Sequence, residues 1–133
     1  MPTTRVRIHN PDTIATPTGY SHVAEVRGGK LVFIAGQIAR DPQGNLVGKG
    51  DYRRQTEQVF ENLRRALESV GASFYDVVKL TIFVRDVRHL PEIREVRDRY
   101  VNTKNPPTST AVQVSGLADP DFLLEVEAIA SLE

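Results

Sequence analysis

The sequence predicts an α+β domain in which a mixed β-sheet carries two helices on one face. Three observations predict it. Residues 51–70 place apolar side chains every three or four positions, the rhythm of a helix with one buried face. Residues 77–84 and 123–132 are rich in apolar and β-branched residues, as strands of a covered sheet are. A second helical pattern at 90–101 separates them. A strand–helix–strand–helix–strand order implies at least some parallel pairing through a crossover.

The elements follow in chain order. Val6 and Ile8 alternate with Arg5, Arg7 and His9, which predicts a short strand with one buried face. Residues 10–19 hold two prolines and a glycine and form a loop. His22–Arg27 alternates again, Gly28-Gly29 signals a tight turn, and Leu31–Ala35 is a nearly continuous apolar run. Together they predict a β-hairpin whose second arm is buried on both faces. Residues 41–45, Asp-Pro-Gln-Gly-Asn, make a turn. In the first helix, Tyr52, Thr56, Val59, Phe60, Leu63, Ala66, Leu67 and Val70 line one face, and Gly71 stands where a C-terminal cap is expected. In the second, Pro91 suits the first turn, Glu92 and Glu95 lie near the positive end, and Ile93, Val96 and Tyr100 form the buried stripe. Pro106-Pro107 makes 102–109 a loop or extended segment. Thr110–Val114 and Leu123–Leu132 are the last two strands. Nothing divides residues 1–133, so one domain is expected. The sheet face opposite the helices carries enough apolar residues to need a partner.

Composition narrows the function classes. The chain has 133 residues, 40% of them hydrophobic, enough for a packed core, while a chain this short gains from oligomerisation. Cysteine is absent, which removes disulfides, thiol nucleophiles and Cys-based zinc sites. Lys+Arg and Asp+Glu both number 17, so the basic excess of a nucleic-acid binder is missing and no nucleic-acid partner is expected. No apolar run approaches a membrane span, and the N-terminus lacks the apolar core of a signal peptide, so a cytoplasmic location without membrane contact is expected. There is no phosphate loop, nucleophile elbow or metal-ligand spacing. His9, His22 and His89 stand far apart and read as structural or surface residues.

The C-terminal quarter is more specific. Pro106-Pro107-Thr108-Ser109-Thr110-Ala111-Val112-Gln113-Val114 precedes Leu124-Glu125-Val126-Glu127-Ala128-Ile129-Ala130. This resembles the RidA/YjgF family pattern, a Pro-x-Arg-Ser/Thr segment, a Val-x-Val strand, then Glu-Ile-Glu-Ala-Ile-Ala. Gly19-Tyr20-Ser21-His22 resembles the family's early Gly-Tyr segment, and Ala35-Gly36-Gln37-Ile38 its Gly-Gln-Ile strand end. Gln55–Gly71 is similar to its first helix and Lys79–Asp86 to its central strand. The resemblance implies a chorismate-mutase-like α+β fold and a homotrimer whose sheets close into a barrel-like core with ligand clefts between subunits. It also implies cofactor-free hydrolysis of enamines and imines such as 2-aminoacrylate, with a small metabolite as partner. The family's Arg binds the substrate carboxylate, a Glu and backbone near the Gly-Gln-Ile segment place water and imine, and a Tyr lines the cleft.

Carried over residue by residue, these roles fall on Glu125 as the catalytic candidate and on Tyr20, Gly36, Gln37 and Ser109 as substrate-binding candidates. Each has a plainer reading. Tyr20 serves equally to cap a hydrophobic edge, Gly36 to permit a close approach or bend, and Ser109 to turn the chain into the strand. Glu125 and Glu127 are expected on opposite strand faces, one toward a cleft and one toward solvent. The departure is at Ser109, which stands where deaminating members carry Arg. A serine offers a hydroxyl and no charge. An unpaired buried carboxylate costs several kcal/mol, so an Arg-clamp mechanism should be weak unless Arg94, Arg97 or Lys104 supplies the charge. The expected protein is therefore an atypical family trimer binding a small metabolite and hydrolysing an imine, enamine or related substrate. The alternatives are a genuine 2-imino acid deaminase and a binding, regulatory or chaperone-like protein without catalysis.

Overall fold

The structure, a computed structural model, describes residues 5–133. Its elements run β1 (Val6–His9), β2 (Val23–Val26), β3 (Lys30–Gln37), α1 (Tyr52–Ser69), β4 (Val77–Val84), α2 (Leu90–Arg97), β5 (Thr108–Gln113) and β6 (Leu124–Leu132). Strands β3, β6, β4 and β5 form the main sheet in that order, and β1 pairs with β2 in a separate ribbon. The β4–β5 pair is parallel, with α2 in the crossover; the other two pairs of the main sheet are antiparallel. The mixed sheet with its helices on one face is the architecture expected.

The expected β2–β3 hairpin is not formed. β2 pairs antiparallel with β1, Val6 opposite Val26, while β3 pairs with β6, Lys30 opposite Leu132. Gly28 and Gly29 do turn the chain, both in the left-handed region at φ 67° and 78°. The turn carries it from the ribbon to the main sheet instead of folding it back on itself. Gly29 is required on a second count, because a Cβ there would lie 2.1 Å from the Leu132 carbonyl oxygen. Nor is β3 buried on both faces. It is an edge strand whose Leu31 and Phe33 are 54% and 71% exposed.

Register assigns the two faces. Ile34, Leu80, Ile82, Val84, Leu124, Val126, Ala128 and Ala130 share the helix-covered face and are buried. Against them α1 lays Val59, Phe60, Leu63 and Leu67, and α2 adds Ile93 to the same core. Each such side chain contributes roughly 1.5–3 kcal/mol by leaving water. The helix begins at Asp51, whose side chain accepts from the Arg54 N–H at 3.0 Å, and ends before Gly71 at φ 77°. The second helix stops at Arg97 rather than Val101; residues 98–101 close it with turns. The β5 strand starts two residues early, because Ser21 bridges to Thr108 and extends the pairing.

The opposite face is open. Leu31, Phe33, Phe83, Val112 and Ile129 lie on it, with Glu125 opposite Phe83 and Glu127 opposite Thr81. The two acids therefore share one face, not opposite ones. Side chains on a strand alternate, so residues two apart point the same way.

Candidate functional site

The Ser21 N–H donates to the Pro107 carbonyl at 3.1 Å, and this bond lays Tyr20 beside the start of β5. The loop before it is pinned by His22, whose N–H donates to Asn10 Oδ1 at 2.6 Å and whose Nε2 lies 2.7 Å from the Ala15 carbonyl. The Tyr20 and His22 rings meet edge to face at 5.4 Å. Ser109 pairs with Leu80 and so faces the helix-covered side. Leu90, Arg94 and Arg97 are spaced i, i+4, i+7 along one face of α2. Tyr20, Ser109 and these three α2 residues, with Thr18, Ile82 and Ala111, line a cavity of about 170 Å³.

Arg97 is the unusual member. It is 6% exposed, although guanidinium groups are seldom buried without full pairing. Its Nε and Nη2 both reach Asp98 Oδ1 at 3.0 Å, and Asp98 itself is half-exposed. Nη1 has no hydrogen-bond partner among the described residues. A Cβ at Gly19 would lie 3.0 Å from Arg97 Nη2, so glycine there leaves the guanidinium its room. Arg94 is exposed and ion-pairs with no acid among the described residues. Lys104, the third basic residue considered from sequence, lies in an exposed loop outside the cavity lining.

Glu125 stands elsewhere, on the open sheet face, lying over Gly36. A Cβ at Gly36 would sit 2.0 Å from Glu125 Oε2. The carboxylate is half-buried and pairs with no cation among the described residues. Gln37 points to neither place. Its register partner is Val126, its Nε2 donates to the Ala35 carbonyl at 3.0 Å, and it lines a separate recess with Arg40, Asn62 and Arg65. Of the five residues singled out from sequence, one protomer thus joins Tyr20 to Ser109 and Gly36 to Glu125, and leaves Gln37 apart. The cavity's cationic wall was foreseen only as three candidate residues, Arg94, Arg97 and Lys104, of which the first two line it. Its signal was the helical spacing that puts Leu90, Arg94 and Arg97 on one face.

Among the described residues no group of three or more His, Asp or Glu side chains could hold a metal ion. His89 stacks on Tyr52, ring centroids 3.9 Å apart, and its Nδ1 lies 2.8 Å from Glu92 Oε1.

Comparison with known proteins agrees with the fold and the motifs. Residues 10–132 match the family described as endoribonuclease L-PSP. A RutC family protein of Pyrococcus abyssi is 41% identical over 114 residues, 86% of this chain and 87% of its own. A 2-iminobutanoate/2-iminopropanoate deaminase of Dermatophagoides farinae is 31% identical over 130 residues, 96% of this chain and 97% of its own. A Yersinia pestis protein of unknown function in the conserved Rid family superposes with a TM-score of 0.85 at 34% identity, covering 97% of this chain and 100% of its own.

Proposed function

The chain belongs to the RidA/YjgF family, described also as endoribonuclease L-PSP, and from that premise we propose that it is a homotrimer whose inter-subunit clefts bind a small metabolite and hydrolyse an imine or enamine. The observation that carries the reading is the separation of two polar half-sites onto opposite faces of one sheet. Tyr20 and Ser109 lie on the helix-covered side, Glu125 and Gly36 on the open side. A small ligand cannot touch both across a packed sheet. Trimeric assembly is typical of the family, and closing three open faces around an axis covers Leu31, Phe33 and Val112. It also brings one subunit's Glu125 half toward its neighbour's Tyr20–Ser109 half.

The chemistry needs one water per turnover. Glu125 accepts a proton as water oxygen bonds to the imine carbon and the nitrogen takes up a proton. The carbinolamine then loses its nitrogen as ammonia, leaving a carbonyl compound; an enamine first takes a proton at carbon to become the imine. Tyr20 and Ser109 supply hydroxyls that orient the substrate, and Gly36 lets Glu125 lie close to the backbone where the water is held. The relative named for 2-iminobutanoate and 2-iminopropanoate supports this substrate class.

Light scattering should give three times the 14.8 kDa chain mass, and the protein should speed the loss of freshly generated 2-iminobutanoate or 2-aminoacrylate. Glu125→Gln should slow this by about 100-fold or more, the usual worth of a positioned general base. Gly36→Ala should slow it too, because the added Cβ displaces the carboxylate. A monomer would reject the cleft, and rates at the no-enzyme background would reject the hydrolysis.

A further inference from the structure

Resting on the cleft described above, but adding the groups that hold the ligand's charge, we propose that Arg97, assisted by Arg94, both on α2, is the anion-binding centre of the Tyr20–Ser109 cavity and takes the carboxylate of a small monoanion. A buried guanidinium is costly unless its donors are satisfied. Asp98 occupies one edge of the Arg97 fork, while Nη1 has no protein partner among the described residues and stays accessible, so it can meet a ligand. An Arg–Asp pair of adjacent residues could sit in water at no desolvation cost. Here the arginine is instead drawn into a cavity wall, and glycine at position 19 keeps the space beside it open.

Charge and size define the occupant. Arg94 and Arg97 against Asp98 leave this subunit's wall one positive charge in excess, which favours an anion, and a neighbour's Glu125 in the same cleft works against a dianion such as phosphate. At about 170 Å³ the cavity is smaller than the roughly 300–1,000 Å³ of sites for drug-sized ligands. Ile82, Leu90 and Ala111 provide an apolar lining for a short carbon chain, while Tyr20 and Ser109 offer hydroxyls to a second polar group. A planar carboxylate suits the guanidinium fork.

The same geometry explains Ser109. An arginine at 109 would share this small volume with Arg97, two cations against one ligand charge. A small residue at 109 on the strand leaves that volume to the guanidinium of the helix that faces it.

The test uses the full-length protein with 2-oxobutanoate and its methyl ester as probes, read by calorimetry, with thermal melting to check each variant's fold. The acid should bind and the ester should bind about ten-fold or more weakly, since it lacks the charge-assisted pair. Arg97→Gln should weaken the acid by about ten-fold or more, and Arg94→Gln by a few-fold, as a more exposed cation does. Ser109→Arg alone should weaken binding, and combined with Arg97→Gln should restore it. Equal binding of acid and ester, an unchanged affinity in Arg97→Gln, or tighter binding in Ser109→Arg alone would each overturn the proposal. Should Arg97→Gln fail to fold, the ester, Arg94→Gln and Ser109→Arg still decide it. Background imine hydrolysis with this binding pattern intact would overturn the hydrolytic reading alone. Hydrolysis without acid-selective binding would overturn the anion site alone.

Discussion

Tyr100 donates its hydroxyl to Glu61 Oε2 at 3.0 Å, and its ring packs 5.4 and 5.3 Å from those of Phe60 and Phe74. Burial first, and then the bond to the Glu61 carboxylate, push its ionisation up to about 12. Tyrosine is neutral below its pKa, so a raised value stabilises the fold fully below the ordinary value of about 10. That contribution is lost as pH rises through the folded value. In an ultraviolet tyrosinate titration of the four tyrosines, Tyr100 should ionise last, and Tyr100→Phe should remove that step. At neutral pH the variant should lose only about 1 kcal/mol in urea denaturation, one hydrogen bond, because Glu61 keeps its bond to Arg64. Four tyrosines ionising together near the ordinary value would contradict the assignment. Single residues were also where sequence reading divided. Ser109 could be recognised as a departure because a motif has fixed spacing. Which of Arg94, Arg97 and Lys104 stands near it could not be read, because Arg97 lies 12 positions earlier on another element, and only the crossover brings it and Ser109 to one cavity.

At the scale of elements, one fully buried residue ties the start of α1 to the segment before β6. Gln55 is fully buried, its Nε2 donating to the Gly48 and Asp121 carbonyls at 3.2 and 2.9 Å, its Oε1 accepting from the Leu123 N–H at 2.9 Å. The helix start is thereby stapled to the segment that leads into β6 and positions Glu125. Gln55→Leu leaves these backbone groups buried without partners and should cost about 2–4 kcal/mol in urea denaturation, the penalty of unsatisfied buried polar groups. A loss under about 0.5 kcal/mol would show that the staple is dispensable. The apolar rhythm of α1 was legible because helical period is a local property. Gln55 was not, since a polar residue in a first turn looks solvated until its distant partners are known. The β2–β3 hairpin failed for the same reason. Gly28-Gly29 encodes a turn, but the choice of strand partner belongs to β1 and β6, far away in sequence.

For the whole molecule, the open sheet face is the surface on which the proposed assembly depends. Phe33 is 71% exposed at its edge and Leu31 54%, more apolar surface than a lone subunit needs to show. If the proposed trimer closes over this face, Phe33→Glu should give a monomer by light scattering at equal concentration and abolish the proposed imine hydrolysis with it. Tyr75→Glu serves as the control, because Tyr75 is 75% exposed but lies in the short helical turn before β4. An unchanged mass in Phe33→Glu would remove that face from the interface. Equal loss in both variants would point to general destabilisation.

The sequence by itself determined the α+β class, the two helices, the central strand and the motif order that marks the family. All of these rest on local periodicity or on fixed spacing along the chain. The tertiary structure decided which strands pair, that Glu125 and Tyr20 lie on opposite faces of one sheet, and that Arg97 reaches the cavity of Ser109. Those are facts about residues distant in sequence. A side chain's neighbours across a sheet or a crossover are set by the packing of the whole chain, and no local pattern encodes them.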